Sequence, residues 1–203
     1  MSSVLLVNPN QPDLAVIEQA AKCLTAGGLV ILPTETVYGI ACDPNQPKAL
    51  KRLQATKGRD ANKPIARLVA SSAQAKSQAL HWNKGIQALC KTYWPGPLTL
   101  VLETEMGWTG FRVPDHSIPI AVAATFGSSI ALTSANRSGE SDPRTADETN
   151  HLAADLTLNS GPTADQAIPS TVIKVHRHHL ENLREGALSF STLETVFNNG
   201  LAS

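Results

Sequence analysis

Three cations lie within seven residues in the segment Lys57-Gly58-Arg59-Asp60-Ala61-Asn62-Lys63-Pro64, in a chain with 17 basic and 17 acidic residues. Lysine supplies a mobile point charge, and arginine supplies a planar fork that binds two phosphate oxygens together. The segment has neither a GxxxxGKS/T nor a GxGxxG pattern, so side chains would have to hold any phosphate group. The alternative is that Lys57 stabilises the end of its helix while Arg59 and Lys63 are solvated loop charges.

Seven polar residues end or follow apolar runs that have the character of strands. They are Thr34, Thr99, Arg112, Ser134, Asn136, Ser170 and Arg184. Ligands of open α/β sheets bind in the crevice at strand ends, so this set predicts one polar cavity. Together with the cationic segment, such a cavity would suit a polyanionic nucleotide. The alternative for Ser134 and Asn136 is that their hydrogen bonds stabilise a local turn.

Arg112 lies inside an apolar strand and therefore needs an anionic partner. That partner is either a buried carboxylate of the chain or the carboxylate of a ligand. His116 follows on a loop and is predicted to be structural rather than a general base. The cluster His176, His178 and His179 is interpreted as having no acidic or cysteine ligand nearby, so it predicts a solvated surface and no metal site.

Length and composition limit the class of protein. The 203 residues, 42% of them hydrophobic, predict one α/β domain over residues 1–203. A net charge of zero does not favour a general nucleic-acid binder. No apolar run approaches the about 18 residues of a membrane helix, and no signal peptide is visible. Cys23, Cys42 and Cys90 are interpreted as buried free thiols of a reducing cytosol, which predicts a cytoplasmic protein.

Hydrophobic periodicity and turn residues predict alternating helices and strands. Helices are predicted over residues 13–26, 48–56, 72–80, 83–93 and 118–126. Capping boxes predict two further short helices, opened by Thr145-x-x-Glu148 and Ser191-x-x-Glu194. Strands are predicted over residues 29–32, 65–70, 98–102, 111–113, 130–133, 171–175 and 179–183. The closely spaced strand pairs favour a mixed sheet with helices on its faces over a purely parallel sheet.

Several of these segments, in this order, resemble the signatures of the YrdC/TsaC family of threonylcarbamoyl-AMP synthases. They are Pro33-Thr34-Glu35-Thr36-Val37-Tyr38-Gly39, Lys57-Gly58-Arg59 with Lys63-Pro64, Trp94-Pro95-Gly96-Pro97-Leu98-Thr99, Arg112-Val113-Pro114-Asp115-His116, Ser134-Ala135-Asn136-Arg137-Ser138-Gly139, Pro169-Ser170-Thr171 and Arg184-Glu185-Gly186. The resemblance covers about residues 12–190. The chain is similar to the short single-domain form of the family, without the C-terminal extension that some members carry.

The resemblance implies a YrdC-like α/β (α+β) fold, in which a twisted mixed β-sheet with flanking helices surrounds an open polar cavity. It also implies a reaction. L-threonine and bicarbonate form N-carboxythreonine, which attacks the α-phosphorus of ATP to give threonylcarbamoyl-adenylate and pyrophosphate. ATP would bring Mg²⁺ on its phosphates, with no metal bound by the protein. Downstream tRNA-threonylcarbamoyl transferase proteins would then modify adenosine 37 of tRNA.

The family's functional residues map onto matching positions of this chain. The resemblance assigns nucleotide binding to Lys57, Arg59, Ser134, Asn136 and Arg184, with Lys57 and Arg59 also catalytic through the triphosphate. It assigns threonine binding to Thr34, Tyr38, Lys63, Arg112 and Ser170, with Arg112 on the substrate carboxylate. No side chain needs to be a covalent nucleophile, so catalysis would consist of positioning and charge stabilisation.

Four positions depart from the family pattern. Asp60 adds an anion beside Arg59, Arg67 interrupts an otherwise apolar strand, the segment 103–110 is short, and Ser117 stands where proline is common. A second hypothesis is therefore kept, in which the same fold is a non-catalytic module that binds double-stranded RNA or tRNA. A third is a carbamoyl-adenylate domain of hydrogenase maturation, which the missing acylphosphatase-like and zinc-finger segments disfavour.

Overall fold

The computed structural model describes residues 3–58, 65–163 and 168–202. The strands in these ranges are β1 (Ser3–Leu6), β2 (Val30–Leu32), β3 (Gly39–Cys42), β4 (Arg67–Leu68), β5 (Leu98–Thr104), β6 (Gly107–Arg112), β7 (Ile130–Ser134), β8 (Leu156–Asn159), β9 (Thr171–Val175) and β10 (Leu180–Arg184). The α-helices there are α1 (Leu14–Thr25), α2 (Pro47–Lys57), α3 (Ser72–Lys76), α4 (Lys84–Tyr93), α5 (Ser117–Phe126) and α6 (Phe190–Ala202).

The described strands form one mixed sheet, in the order β1-β8-β2-β3-β7-β4-β6-β5-β9-β10. Parallel pairs join β1 to β8, β8 to β2, β4 to β6 and β5 to β9, whereas the other neighbours are antiparallel. The two-residue strand β4 joins the half that ends in β1 to the half that ends in β10. The prediction of a mixed sheet with flanking helices is confirmed.

Alternation along the strands decides which face each helix covers. In β2, Val30 and Leu32 pack in one hydrophobic cluster with α1 and α5, while Ile31 packs in another with α2. This strand is buried on both faces, as its continuous apolar run predicts. In β5, Leu98, Leu100 and Leu102 pack in a third cluster with α4 and α6. Residues of the opposite face, such as Thr99, are left to line a cavity.

Local capping signals fix several helix ends where the sequence predicts them. Asp13 accepts a hydrogen bond from the Ala15 N–H at 2.9 Å and begins α1. Gly58 ends α2 with φ of 58°, and Gly127 ends α5 with φ of 78°. Both glycines adopt the left-handed conformation that residues with a side chain rarely adopt.

Three strands are not predicted from the sequence: β1, β3 and β8. β3 begins with Gly39 and has only four residues, so neither β-propensity nor alternation marks it. Helix α3 ends at Lys76 instead of reaching residue 80, because the chain leaves the helix and Leu80 N–H bonds to Glu103 O at 2.8 Å. The strand predicted over residues 65–70 is reduced to β4.

The two capping boxes behave differently from their prediction. Thr145 Oγ1 accepts a hydrogen bond from Glu148 N–H at 3.3 Å, but only a single 3-10 turn, Asp147–Thr149, follows. The helix predicted at Ser191-x-x-Glu194 is present, but Ser191 does not open it and it is not short. Helix α6 already begins at Phe190 and has 13 residues, and Ser189 Oγ accepts from the Thr192 N–H at 3.3 Å. No helix in the described parts of the chain is long and apolar enough to cross a membrane.

Candidate active site

A cavity of about 550 Å³ lies on the face of β5, β6, β9 and β10 that turns away from α4 and α6. Five of the residues predicted to bind substrates line it: Thr34, Arg112, Ser134, Ser170 and Arg184. They come from segments that are far apart in sequence and that the sheet order brings together. These five residues therefore share one cavity, although most of the surface that lines it is apolar.

The floor of the cavity is built from small residues. A Cβ atom at Gly110 would lie 3.3 Å from Thr99 Cγ2 and 3.5 Å from Ala66 Cβ. Val101, which is paired with Gly110 in register, continues this floor toward Lys174 on β9. A side chain at position 110 would therefore occupy space that is now cavity.

The Thr34 hydroxyl organises the turn that follows β2. Its Oγ1 accepts hydrogen bonds from the N–H groups of Thr36 at 3.2 Å and Val37 at 3.1 Å, and it donates to Val37 O at 2.7 Å. Such a hydroxyl-stabilised turn fixes the direction of the residue inside it. That residue is Glu35, whose carboxylate contacts Arg112.

The partner that Arg112 requires is a carboxylate of the chain itself. Arg112 Nη2 donates to Glu35 Oε1, and Arg112 Nε donates to Gly96 O at 3.1 Å. The arginine and glutamate side chains are only 16% and 21% exposed. Sequence reasoning assigned no role to Glu35. The available signal was the need of a half-buried arginine for an anion, but 77 residues separate the partners.

A second arginine reaches the cavity from β10. Arg184 donates to Ser170 O from Nε at 3.1 Å and from Nη2 at 2.8 Å, while Ser170 Oγ lies 3.0 Å from Thr99 Oγ1. Burial lowers the pKa of Arg184, the Asp142 carboxylate opposes that change, and the positive charge of Arg112 adds to it. Two mutually repelling guanidinium groups thus face one cavity, where an anionic ligand would stabilise both.

Lys57, Ser134 and Asn136 form a connected group next to the cavity. Lys57 is 3% exposed, and its Nζ donates to Ser134 O and, at 3.0 Å, to Asn136 Oδ1. Ser134 Oγ donates to the same Oδ1 at 2.6 Å, and Asn136 Nδ2 donates to Glu140 O at 2.6 Å. Of these three predicted nucleotide ligands, only Ser134 lines the cavity, and the described contacts tie Lys57 to the turn behind it.

Tyr38, a further predicted ligand, is not among the residues that line the cavity. Tyr38 is fully buried, and its hydroxyl donates to Gly161 O at 2.6 Å and accepts from Ser160 N–H at 3.1 Å. The expectation that its side chain lines the cavity therefore does not fit its position. Arg59 and Lys63 lie outside the described residues, as does Asp60.

His116 has the structural role that the sequence analysis favours. His116 Nδ1 accepts from Ile118 N–H at 3.3 Å and so caps α5. Burial lowers the pKa of His116, and Glu35 and Asp115 oppose that effect. His176 does have an acidic neighbour, contrary to prediction, because its Nε2 lies 3.0 Å from Glu181 Oε2. Among the described residues, no group of three or more His, Cys, Asp or Glu side chains could hold a metal ion.

Arg67 on β4 is among the residues that line the cavity. It is in register with Phe111 and Ala131, which are buried members of hydrophobic clusters. Its Nη1 lies 3.5 Å from Gln78 Oε1 and 3.4 Å from Ser129 Oγ. Burial lowers the pKa of Arg67, and the Asp43 carboxylate opposes that effect. This departure from the family pattern therefore belongs to the cavity wall itself.

The aromatic edge of the cavity is a feature that the sequence analysis missed. Trp108 lines the cavity next to the turn between β5 and β6, with Lys174 Nζ 4.3 Å from its ring centroid. Glu181 lies 3.9 Å from the same ammonium group.

The three cysteines offer no nucleophile here, since burial raises the pKa of Cys42 and Cys90 to about 12 and also raises that of Cys23.

Comparisons with known proteins connect this cavity to a family. The Sua5/YciO/YrdC family model, described as telomere recombination, matches residues 22–186. A threonylcarbamoyl-AMP synthase of Bacillus subtilis is 30% identical, over 94% of this chain and 58% of that protein. A threonylcarbamoyl-AMP synthase of Alkalilimnicola ehrlichii is 36% identical, over 77% of this chain and 89% of that protein.

A solved structure supports the same relationship. The crystal structure of Pyrococcus abyssi Sua5 complexed with L-threonine is 30% identical and has a TM-score of 0.89, over 96% of this chain and 61% of that chain. This chain thus spans less than two thirds of the length of the Bacillus and Pyrococcus proteins. The matched residues and the shared fold nevertheless agree with the resemblance read from the sequence: the chain belongs to the Sua5/YciO/YrdC family.

Proposed function

We propose that this protein is a threonylcarbamoyl-AMP synthase. L-threonine, bicarbonate and ATP would give L-threonylcarbamoyl-AMP, pyrophosphate and water. The observation that carries the proposal is the meeting of Arg112, Arg184, Ser134 and Ser170 at one cavity, in a chain that is 30% identical to a Sua5 structure that holds L-threonine. The product would be passed to tRNA-threonylcarbamoyl transferase proteins for modification of adenosine 37 of tRNA, in the cytoplasm.

The threonine end of the cavity is proposed to lie at Arg112. Its guanidinium is held by Gly96 O and Glu35, so its orientation is set before a carboxylate arrives. Thr34 and Ser170 line the same cavity, and Lys63 is proposed to join them from the segment outside the described residues. Tyr38 would contribute indirectly, by holding the chain at residues 160–161 behind the cavity.

The nucleotide end is proposed to lie at Ser134 and Arg184, with Arg59 on the triphosphate. Lys57 and Asn136 support Ser134 from behind through the hydrogen bonds described above. Lys57 could contact a phosphate only if its ammonium group gave up one of its hydrogen bonds to this turn. The proposed catalytic role of Lys57 is thus linked to the stability of the turn, which a substitution can measure.

The chemistry requires positioning and charge stabilisation. A carbamate oxygen of N-carboxythreonine would attack the α-phosphorus of ATP, the bond to the β-phosphate oxygen would break, and pyrophosphate would leave. Fixed cations around the cavity would stabilise the charge that builds up on phosphorus and on the leaving group. ATP would enter as its Mg²⁺ complex, with the metal carried by its phosphates. A recessed cavity also protects the labile carbamate from water.

Release of pyrophosphate tests the proposal. Purified protein would be supplied with ATP, Mg²⁺ and bicarbonate, with and without L-threonine. We expect release that requires both threonine and bicarbonate, together with mass-spectrometric detection of the adenylate. Folded protein that releases no threonine-dependent pyrophosphate would contradict the proposal, and binding of tRNA by that same protein would favour the RNA-binding hypothesis.

A further inference from the structure

Lys174 is a cation of the cavity to which neither the sequence pattern nor the proposed function assigns a role. Among the described residues, the cations that line the cavity are Arg67, Arg112, Lys174 and Arg184. Arg112 and Arg184 belong to the proposed threonine and nucleotide ends. The Arg67 guanidinium contacts Gln78 and Ser129, which do not line the cavity. Of these four residues, Lys174 is therefore the one whose contacts leave it for a further ligand.

The surroundings of the Lys174 ammonium group leave its hydrogen-bond donors available. Nζ lies 4.3 Å from the centroid of the Trp108 ring and 3.9 Å from Glu181 Oε2, and the second separation is too long for a hydrogen bond. As far as the described residues are concerned, its three N–H donors make no hydrogen bond. The side chain is 25% exposed and lines the cavity, so a ligand in the cavity can contact it.

Glu181 holds Lys174 only loosely, because this carboxylate has a closer partner. Glu181 Oε2 lies 3.0 Å from His176 Nε2, compared with 3.9 Å from Lys174 Nζ. The Glu181 side chain is half exposed, so water screens its attraction for the lysine. The face of the Trp108 ring attracts the ammonium group without using a donor. Lys174 is thus positioned at the cavity but remains a mobile point charge on a flexible stem.

The register of the sheet places Lys174 next to the proposed nucleotide end. On β9, Val172 is in register with Arg184 of β10, and Lys174 is in register with Glu181. Val172 and Lys174 both line the cavity, since alternate residues of a strand share one face. Two residues correspond to about 6.6 Å along a strand. A phosphate chain that extends from Arg184 along β9 therefore meets the Lys174 ammonium group.

We propose that Lys174 binds the β- and γ-phosphates of ATP and stabilises the pyrophosphate as it leaves. The inference deepens the proposed function and rests on it. When the bond from the α-phosphorus to the bridging oxygen breaks, its electron pair stays on pyrophosphate, and a cation at that group stabilises the transition state. Lys174 supplies this cation from β9, whereas Lys57 is buried and bonded to the turn behind the cavity.

The test compares ATP with AMP, which lacks only the β- and γ-phosphates. Titration calorimetry on the full chain with Mg²⁺ gives both affinities for the wild type and for Lys174→Met, which keeps an aliphatic stem beside Trp108 and removes the charge. In Lys174→Met we expect the affinity for ATP to fall by on the order of tenfold and that for AMP to stay within about twofold. The affinity for inorganic pyrophosphate, and kcat/KM for ATP in pyrophosphate release, should fall by a similar factor to the affinity for ATP.

The matched control is Lys91→Met, which removes a charge from an exposed position of α4 on the opposite side of the sheet. This variant should keep both nucleotide affinities. Lys174→Arg keeps a phosphate-binding cation and should retain most of the affinity for ATP. Glu181→Gln removes the anion beside Lys174 and should raise the affinity for ATP by about two- to fivefold. Circular dichroism melts establish that each variant is folded.

The outcomes separate the inference from the function on which it rests. Folded Lys174→Met that keeps wild-type affinity for ATP, or that loses affinity for ATP and AMP equally, would overturn the inference alone. A lower affinity for ATP in folded Glu181→Gln would also overturn it, because loss of the competing carboxylate should favour phosphate. Wild-type protein that binds no ATP would overturn the proposed function, and the inference with it.

Discussion

Two clusters of predicted substrate ligands border the same cavity, yet they are built in opposite ways. At Arg112 and Arg184, guanidinium groups line the cavity and are held by carbonyl and carboxylate oxygens from one side. Lys57 and Asn136 are only 3% and 7% exposed, and their side chains form hydrogen bonds with each other and with Ser134. The first cluster has guanidinium groups at the cavity, whereas the second holds the turn that presents the Ser134 hydroxyl.

The two clusters show that a charged residue in a predicted substrate motif can lie either at the cavity surface or buried behind it. A cation at the cavity surface affects binding of substrate directly, and its loss should leave the fold largely intact. A cation buried behind the surface compensates buried oxygens, so its loss should lower stability as well as activity. Substitutions in the two clusters can therefore be compared by measuring both activity and the free energy of unfolding.

Arg112→Ala should have the largest effect on activity. The substitution removes the proposed charge-assisted contact to the substrate carboxylate and leaves the Glu35 carboxylate without its Arg112 partner. We expect kcat/KM for threonine in pyrophosphate release to fall by on the order of a hundredfold. Arg112→Lys keeps the positive charge but not the planar fork of the guanidinium group. Its kcat/KM should therefore lie between those of the wild type and Arg112→Ala. An unchanged threonine dependence in Arg112→Ala would contradict the assignment of this end of the cavity.

Lys57→Met should have the largest effect on stability. It keeps the aliphatic length of the side chain but leaves Ser134 O and Asn136 Oδ1 without the ammonium donor. We expect the free energy of unfolding, measured with urea, to fall by about 2–3 kcal/mol. The control is Lys51→Met, on an exposed position of the same helix α2, which should change stability by less than about 0.5 kcal/mol. Lost turnover with wild-type stability in Lys57→Met would instead favour direct contact with phosphate.

This comparison also separates what the sequence can predict from what it cannot. The ends of α1, α2 and α5 follow from Asp13, Gly58 and Gly127, because capping depends on residues a few positions apart. The mixed sheet follows from the order of apolar runs. The burial of Lys57 does not follow, since it depends on a turn that is 77 residues further along the chain.

Long-range pairing explains the missed elements as well. β1 and β8 form a parallel pair between residues 3–6 and 156–159, and neither segment alternates clearly enough to predict a strand. For the site, the sequence predicts that Arg112 needs an anion, but it cannot choose among 17 acidic residues. Only the turn at Thr34 identifies Glu35 as the partner, because that turn aims its side chain.

Gly110→Val should have a moderate effect and tests whether the cavity floor contacts substrate. The new side chain would project into the cavity from a position where even a Cβ lies 3.3 Å from Thr99 Cγ2. We expect kcat/KM in pyrophosphate release to fall by about tenfold, which corresponds to about 1.4 kcal/mol. Gly110→Ala is the graded control, and its kcat/KM should fall by less than that of Gly110→Val. Full activity of the folded valine variant would place both substrates away from this floor.

His116→Asn should have the smallest effect and concerns the pH dependence of stability. Burial lowers the pKa of His116 in the folded protein, whereas the unfolded chain has the ordinary value of about 6.5. Below about pH 6.5 the unfolded state therefore binds more protons, so this histidine makes stability fall as the pH falls toward the folded-state pKa. Asparagine is also a good N-cap residue and should keep the start of α5.

Urea denaturation of both proteins at pH 7.5 and pH 5.5 measures this difference. The loss of stability between the two pH values should be smaller in His116→Asn than in the wild type, while stability at pH 7.5 should change by less than about 1 kcal/mol. An equal loss in both proteins would mean that His116 does not resist protonation in the fold. Since the negative charge of Glu35 raises the pKa of His116, the same measurement in Glu35→Gln should give a larger loss of stability, because the carboxylate that favours protonated His116 is gone.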